Sequence, residues 1–253
     1  MTYDEYRKIR HKIPYLFNIE KNGQHFFYFG AKHLFNPKNK QFRLLKKYWE
    51  KFLDKTKGVN SIVFVEGGKR PQSENKEVAI KEGGEAHFIT FLASQENIET
   101  ISPEPEESYE RSELLKKFSK EEIQYYYFAR VVYQWHNLFD KPVFENYISR
   151  FLKKDARNSN WKGFDLSIEN MKKIHKNLFN KNFDEDDKFF FHSVIDPTSS
   201  KTVINLASRE SGIIRDNYIV KEIKKYWNGG KNIFVVYGVS HAVMQEPELR
   251  RIL

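Results

Sequence analysis

Short continuous apolar runs alternate along much of the chain with segments in which apolar residues recur every three or four positions. Ile13 to Glu20 and His25 to Phe29 are β-prone and flank Lys21-Asn22-Gly23-Gln24, whose Asn-Gly pair signals a hairpin turn. An N-terminal β-hairpin is expected. Its second arm runs into Gly30-Ala31-Lys32-His33, after which Phe42, Leu45, Trp49, Phe52 and Leu53 fall at helical spacing between Gln41 and Lys55. Ser61 to Val65 is apolar throughout, as in a strand covered on both faces, and stops at Glu66-Gly67-Gly68. A helix over Glu85 to Ala93, entered through Gly83-Gly84, and a short strand over Asn97 to Ile101 follow. From Ser112 to about Lys188 the pattern is helical only, and Phe189 to His192 fits strand or helix equally well. The earlier alternation then returns: a helix over Gly212 to Trp227, a strand over Asn232 to Tyr237 ending in Gly238-Val239-Ser240-His241, and a short helix through Pro247 to Arg250.

This grammar predicts an α/β fold: a mostly parallel central sheet flanked by helices, with an N-terminal β-hairpin and a helical cap insertion. The insertion spans about 112–188 within a single domain over 1–253. At 253 residues the chain can bury a sizeable core, and 22 Phe and 14 Tyr supply bulky packing material.

Composition narrows the chemistry. With no cysteine there are no disulfides, zinc-thiolate sites or thiol nucleophiles, so His, Asp and Glu are the available metal ligands. The 43 Lys and Arg exceed 34 Asp and Glu, for a net charge of +9. The cations are scattered over polar helix faces, which favours a solvated surface over a nucleic-acid groove. No stretch approaches the roughly 20 apolar residues of a membrane span, and the residues after Met1 lack the apolar core of a signal peptide. A cytoplasmic protein is expected. No P-loop or dinucleotide-binding glycine fingerprint appears.

Three polar residues stand at strand ends, where open α/β sheets gather their functional groups. His33 and His241 each close a Gly-x-x-His sequence after a strand, and Glu66 terminates a third strand. Glycine at the strand exit is expected to let the backbone turn tightly and swing each imidazole over the sheet edge. Two imidazoles and a carboxylate can hold a divalent metal with an open position for water, or work without metal as general base and charge stabiliser. Sequence leaves both open. Arg215, in Arg215-Asp216-Asn217, could fix Glu66 or a substrate anion through a bidentate contact. Glu104, in the acidic turn after another strand, is a secondary candidate.

The ordered series Phe29 to His33, Val63 to Glu66, Gly84-Glu85, Arg215-Asp216-Asn217 and Val235 to His241 resembles the TraB/Tiki superfamily, which also embraces the erythromycin-esterase-like and ChaN-like proteins. The resemblance spans nearly the whole chain except 112–188. It implies that His33, Glu66, Arg215 and His241 form the site, and it adds Arg70 and Glu85 as secondary candidates. It implies metal-dependent peptidase activity in Tiki-like members, ester hydrolysis in esterase-like members and haem-linked binding in ChaN-like ones. Lys32 departs from the small residue that many members carry before the first histidine, and its cation would oppose a nearby metal unless it points away.

The expectation is therefore a hydrolase of an ester or amide bond, acting on a small-molecule or peptide substrate through His33, Glu66 and His241, with a divalent metal ion as a candidate cofactor. The rival from another class is a non-catalytic protein that binds haem, a metal or an anion with the same residues, or nucleic acid through its basic face. Oligomeric state is left open.

Overall fold

A computed structural model describes the chain except for residues 69–70, 139 and 160. In chain order it contains α1 (Tyr3–Tyr6), β1 (Tyr15–Lys21), β2 (Gln24–Ala31), α2 (Lys40–Thr56), β3 (Ser61–Val65), α3 (Lys76–Gln95) and β4 (Glu99–Ile101). Then come α4 (Glu107–Leu114), α5 (Lys120–His136), α6 (Phe144–Ser159), α7 (Ile168–Phe179), α8 (Lys188–Ile195), α9 (Val203–Asn228), β5 (Asn232–Gly238) and α10 (Val239–Ile252). Contacts divide the chain into two compact units, the first comprising Met1–Glu104 with Asp216–Leu253 and the second Pro105–Arg215.

The first unit is built on a mixed sheet with strand order β1-β2-β5-β3-β4. β1 and β2 form the expected antiparallel hairpin, with Lys21 opposite Gln24. Asn22 and Gly23 both have positive φ, the conformation of a two-residue hairpin turn. The other pairings are parallel. Phe27, Phe29, Val63, Val65, Phe234 and Val236 point to one face and pack against α2 and α3; Phe26, Tyr28, Ile62, Phe64, Val235 and Tyr237 point to the other, with Ile219, Ile223 and Leu249. Coverage of both faces explains why these strands read as unbroken apolar runs.

The helix before β4 begins earlier than its apolar pattern indicates. Asn75 caps it by accepting from the backbone N–H groups of Glu77 and Val78. Gly84 then breaks it with φ +61 and ψ −142, so two helical segments meet at a kink. A side chain at Gly84 would lie 2.9 Å from the carbonyl oxygen of Leu34, so both the conformation and the space require glycine.

The second unit is helical among the described residues and contains the whole 112–188 stretch. Its core gathers Tyr125, Phe128, Met171, Phe191 and Ile204. Arg111 is 1 % exposed and lies between Glu107 (2.8 Å) and Asp155 (3.3 Å), with Gln124 accepting from it at 3.1 Å. His175 Nδ1 pairs with the Tyr125 hydroxyl at 2.6 Å, and His136 Nε2 donates to the Glu185 carbonyl at 2.8 Å. The ambiguous Phe189 to His192 segment is helical within α8, where Asp187 caps the Phe190 N–H.

Candidate active site

Parallel pairing brings strand ends together, and the register here is tight. Ala31 at the end of β2 pairs with Gly238 at the end of β5, and Val65 at the end of β3 pairs with Val236. His33 follows the first of these ends and Glu66 the third, while His241 lies in the first turn of α10 directly after β5. Three residues remote in sequence therefore share one edge of the sheet, as strand-end placement predicts.

Glu66 sits between the histidines. Its Oε2 accepts from the Gly238 N–H at 2.8 Å, which places the carboxylate at the N-terminus of α10, where the helix dipole favours negative charge. His33 Nε2 stands 3.8 Å from Glu66 Oε2, and His241 Nε2 stands 3.7 Å from Glu66 Oε1. Gly67 and Gly68 then take positive φ, and their N–H groups donate to Glu104 Oε1 (3.0 Å) and Ser102 Oγ (2.9 Å). Glu104 thus holds the turn that follows Glu66.

Each imidazole is anchored from behind by a buried carboxylate. His33 Nδ1 meets Glu85 Oε1 at 2.5 Å, and Glu85 Oε2 accepts from the Leu34 N–H at 3.4 Å. The Gly84 kink brings Glu85 to this position. His241 Nδ1 meets Asp216 Oδ1 at 2.6 Å; the same oxygen accepts from Gln245 Nε2 at 2.7 Å, and Gln245 Oε1 accepts from the Tyr28 hydroxyl at 3.1 Å. Burial, then the charge of Asp216, pushes the Tyr28 phenol well above its ordinary pKa, so it stays a donor. Because carboxylates accept at both Nδ1 atoms, the proton of each neutral ring lies on Nδ1 and the Nε2 lone pair faces Glu66.

The two glycines of the repeated motif serve space. Neither Gly30 nor Gly238 has positive φ. A Cβ on Gly30 would lie 2.6 Å from Ala242 Cβ, so this glycine admits α10 against the sheet. A Cβ on Gly238 would lie 3.2 Å from His33 Nε2 and 3.3 Å from Glu66 Oε2, in the gap where the two groups meet. The tight-turn role expected from sequence is replaced by close approach.

The structure thus gathers His33, Glu66, His241 and Glu85, gives Glu104 an anchoring role, and assigns Arg215 to the second unit. Arg70 lies outside the described residues. Lys32 lines a separate cleft. Sequence reasoning missed Asp216 and Gln245. The signal for Asp216 was a carboxylate at helical spacing from the apolar Ile219 and Ile223; for Gln245 it was a position one turn beyond His241 on α10.

No group of three or more His, Asp or Glu side chains among the described residues stands ready-arranged for a metal ion. Two imidazole nitrogens and a carboxylate are nonetheless donors of the type that ligate divalent cations, and ligand imidazoles are commonly held at the second nitrogen by carboxylates, as both rings are here. No helix among the described residues is long and apolar enough to cross a membrane. No family model, curated protein or solved structure matches the chain.

Proposed function

We propose that the chain is a hydrolase that adds water to the carbonyl of an ester or amide, with His33, Glu66 and His241 as its reacting centre and a small molecule or peptide as substrate. A cytoplasmic location, read from sequence alone, belongs to the same proposal. One observation carries the reading: two imidazoles, each locked by a carboxylate at Nδ1, present Nε2 to opposite oxygens of one carboxylate. Packing alone asks for no such symmetry.

The side chains divide the work by exposure. His33 is 57 % exposed and His241 only 11 %, so His33 meets water and substrate first. A water held by His33 Nε2 and Glu66 Oε2 gives a proton to His33 as its oxygen bonds to the carbonyl carbon. Glu85 stabilises the imidazolium formed. His241, protonated and backed by Asp216, donates from Nε2 to the developing oxyanion. His33 then returns the proton to the departing alcohol or amine as the C–O or C–N bond breaks, leaving the free acid. A divalent ion held by His33, Glu66 and His241 would supply a Lewis acid and a water of lowered pKa in the metal-dependent form of this proposal.

The test is turnover on a panel of esters and peptides, with and without added divalent ions, by the wild type and by a His33→Ala/His241→Ala variant. Hydrolysis lost in a folded double variant supports the reading. Retained turnover removes it, and a wild type that binds a divalent ion or haem at these residues but hydrolyses nothing is a binding protein.

A further inference from the structure

A cleft of about 610 Å³ opens in the first unit, and none of His33, Glu66 and His241 lines it. One wall is the segment carrying Lys32 and Leu34, another is the start of α2, and a third is the chain before β1 at Ile13. Its volume suits a drug-sized ligand. Four cations line it, Lys32, Lys40, Arg43 and Lys47, and no acidic side chain does among the described residues. Lys46 on the same helix pairs with Glu50 at 3.4 Å, whereas none of the four has an ion-pair partner among the described residues. Lys40 and Arg43 also lie in the first turn of α2, which has no acidic residue, so they oppose the positive end of the helix dipole as well as each other.

The remaining wall is apolar and open to solvent: Ile13 is 55 % exposed and Leu44 37 %. A bare inorganic anion would leave that surface wet, and a neutral hydrocarbon would leave the cations unrelieved. We propose that the cleft binds an amphiphilic anion, a single phosphate or carboxylate on a short hydrocarbon stem, with Lys40, Arg43 and Lys47 on the charged group and Ile13 and Leu44 along the stem. Relief of local electrostatic conflict by a ligand is a recognised reason for a sequence to break a local rule. The occupant also bears on the active site. Lys32 and Leu34 flank His33, and the Gln41 side chain grips Lys32 by accepting from its N–H at 3.0 Å and donating to its carbonyl at 2.7 Å.

Calorimetric titration of the full chain with octyl phosphate below its micellar concentration tests this without recourse to turnover, so the cleft and the hydrolytic reading stand or fall separately. Saturable binding at one molecule per chain is expected, at least tenfold tighter than inorganic phosphate or octyl glucoside. Arg43→Gln/Lys47→Gln should weaken it at least tenfold, and Leu44→Glu, which introduces a negative charge on the apolar wall, should do the same by an independent route. His241→Asn should bind as the wild type does. Equal affinity for octyl phosphate and inorganic phosphate overturns the proposal, as does unchanged binding in folded cleft variants or loss confined to His241→Asn. Retention on vesicles containing phosphatidic acid, with no binding of free octyl phosphate, overturns it in favour of a membrane headgroup.

Discussion

Replacing Gly238 by alanine separates two roles a glycine can play before a functional histidine. Its backbone, at φ −55 and ψ 148, is one that alanine adopts without strain, so the fold should tolerate the change. The new methyl would stand 3.2 Å from His33 Nε2 and 3.3 Å from Glu66 Oε2, a few tenths of an ångström inside ordinary contact. Glu66 cannot retreat without losing the 2.8 Å bond from the Gly238 N–H. His33 is the more exposed partner, so it swings outward, away from Glu66 and against its 2.5 Å bond to Glu85. A misplacement of order 1 Å costs about 10²-fold in rate, so a shift of a few tenths of an ångström should cost roughly three- to tenfold, or ~0.7–1.4 kcal/mol of activation free energy. Gly30→Ala is the control, because its Cβ would meet Ala242 Cβ at 2.6 Å and the Tyr15 carbonyl oxygen at 3.1 Å, neither of which is the end of a flexible side chain. That overpacking should cost ~1–3 kcal/mol of stability. Urea denaturation and kcat/KM, measured on both variants, give the comparison. Gly238→Ala with activity within twofold of wild type, or with a stability loss equal to that of Gly30→Ala, refutes the reasoning.

Glu85→Gln and Asp216→Asn should each lower kcat by about 10- to 100-fold while leaving the melting temperature nearly unchanged, since an amide oxygen can still accept from Nδ1 but no longer stabilises an imidazolium; ring-nitrogen NMR of the wild type should show both histidines carrying a proton on Nδ1. Arg111→Met should destabilise the second unit by ~3–5 kcal/mol, because it leaves the carboxylates of Glu107 and Asp155 without their buried cation, and urea denaturation followed by tryptophan fluorescence measures it. Burial holds the His136 and His175 imidazoles below their ordinary pKa. The unfolded chain therefore takes up protons that the folded chain resists: stability is intact above about pH 6.5 and falls as pH drops from there through the folded values. The urea midpoint should decline between pH 7 and pH 5, and the decline should shrink in His175→Phe; an equal decline in that variant would assign it elsewhere.

The strands over 61–65 and 232–238 and the hairpin around Asn22-Gly23 were legible because each is specified by residues close in sequence: an unbroken apolar run needs cover on both faces, and Asn-Gly suits positive φ. The strand-end positions of His33, Glu66 and His241 were legible for the same reason. Less was visible where local signals compete. The apolar pattern of α3 conceals an earlier start at its Asn75 cap, and the apolar run in α8 reads as either element until Asp187 is recognised as a cap.

What the chain determined by itself is the inventory of elements and the presence of polar groups at their ends. Tertiary structure decided which of those groups meet. Glu85 lies 52 residues from His33 and Asp216 lies 25 from His241, so neither pairing leaves a periodic trace; each depends on how a helix is laid against the parallel sheet. The function of the two motif glycines was decided in the same way. Their need for a missing side chain arises from α10 and from the meeting of His33 with Glu66, neighbours that exist only once β2, β5 and β3 stand side by side. Short-range preferences write elements into sequence, whereas the contacts that make a site form between elements and become visible only when they pack.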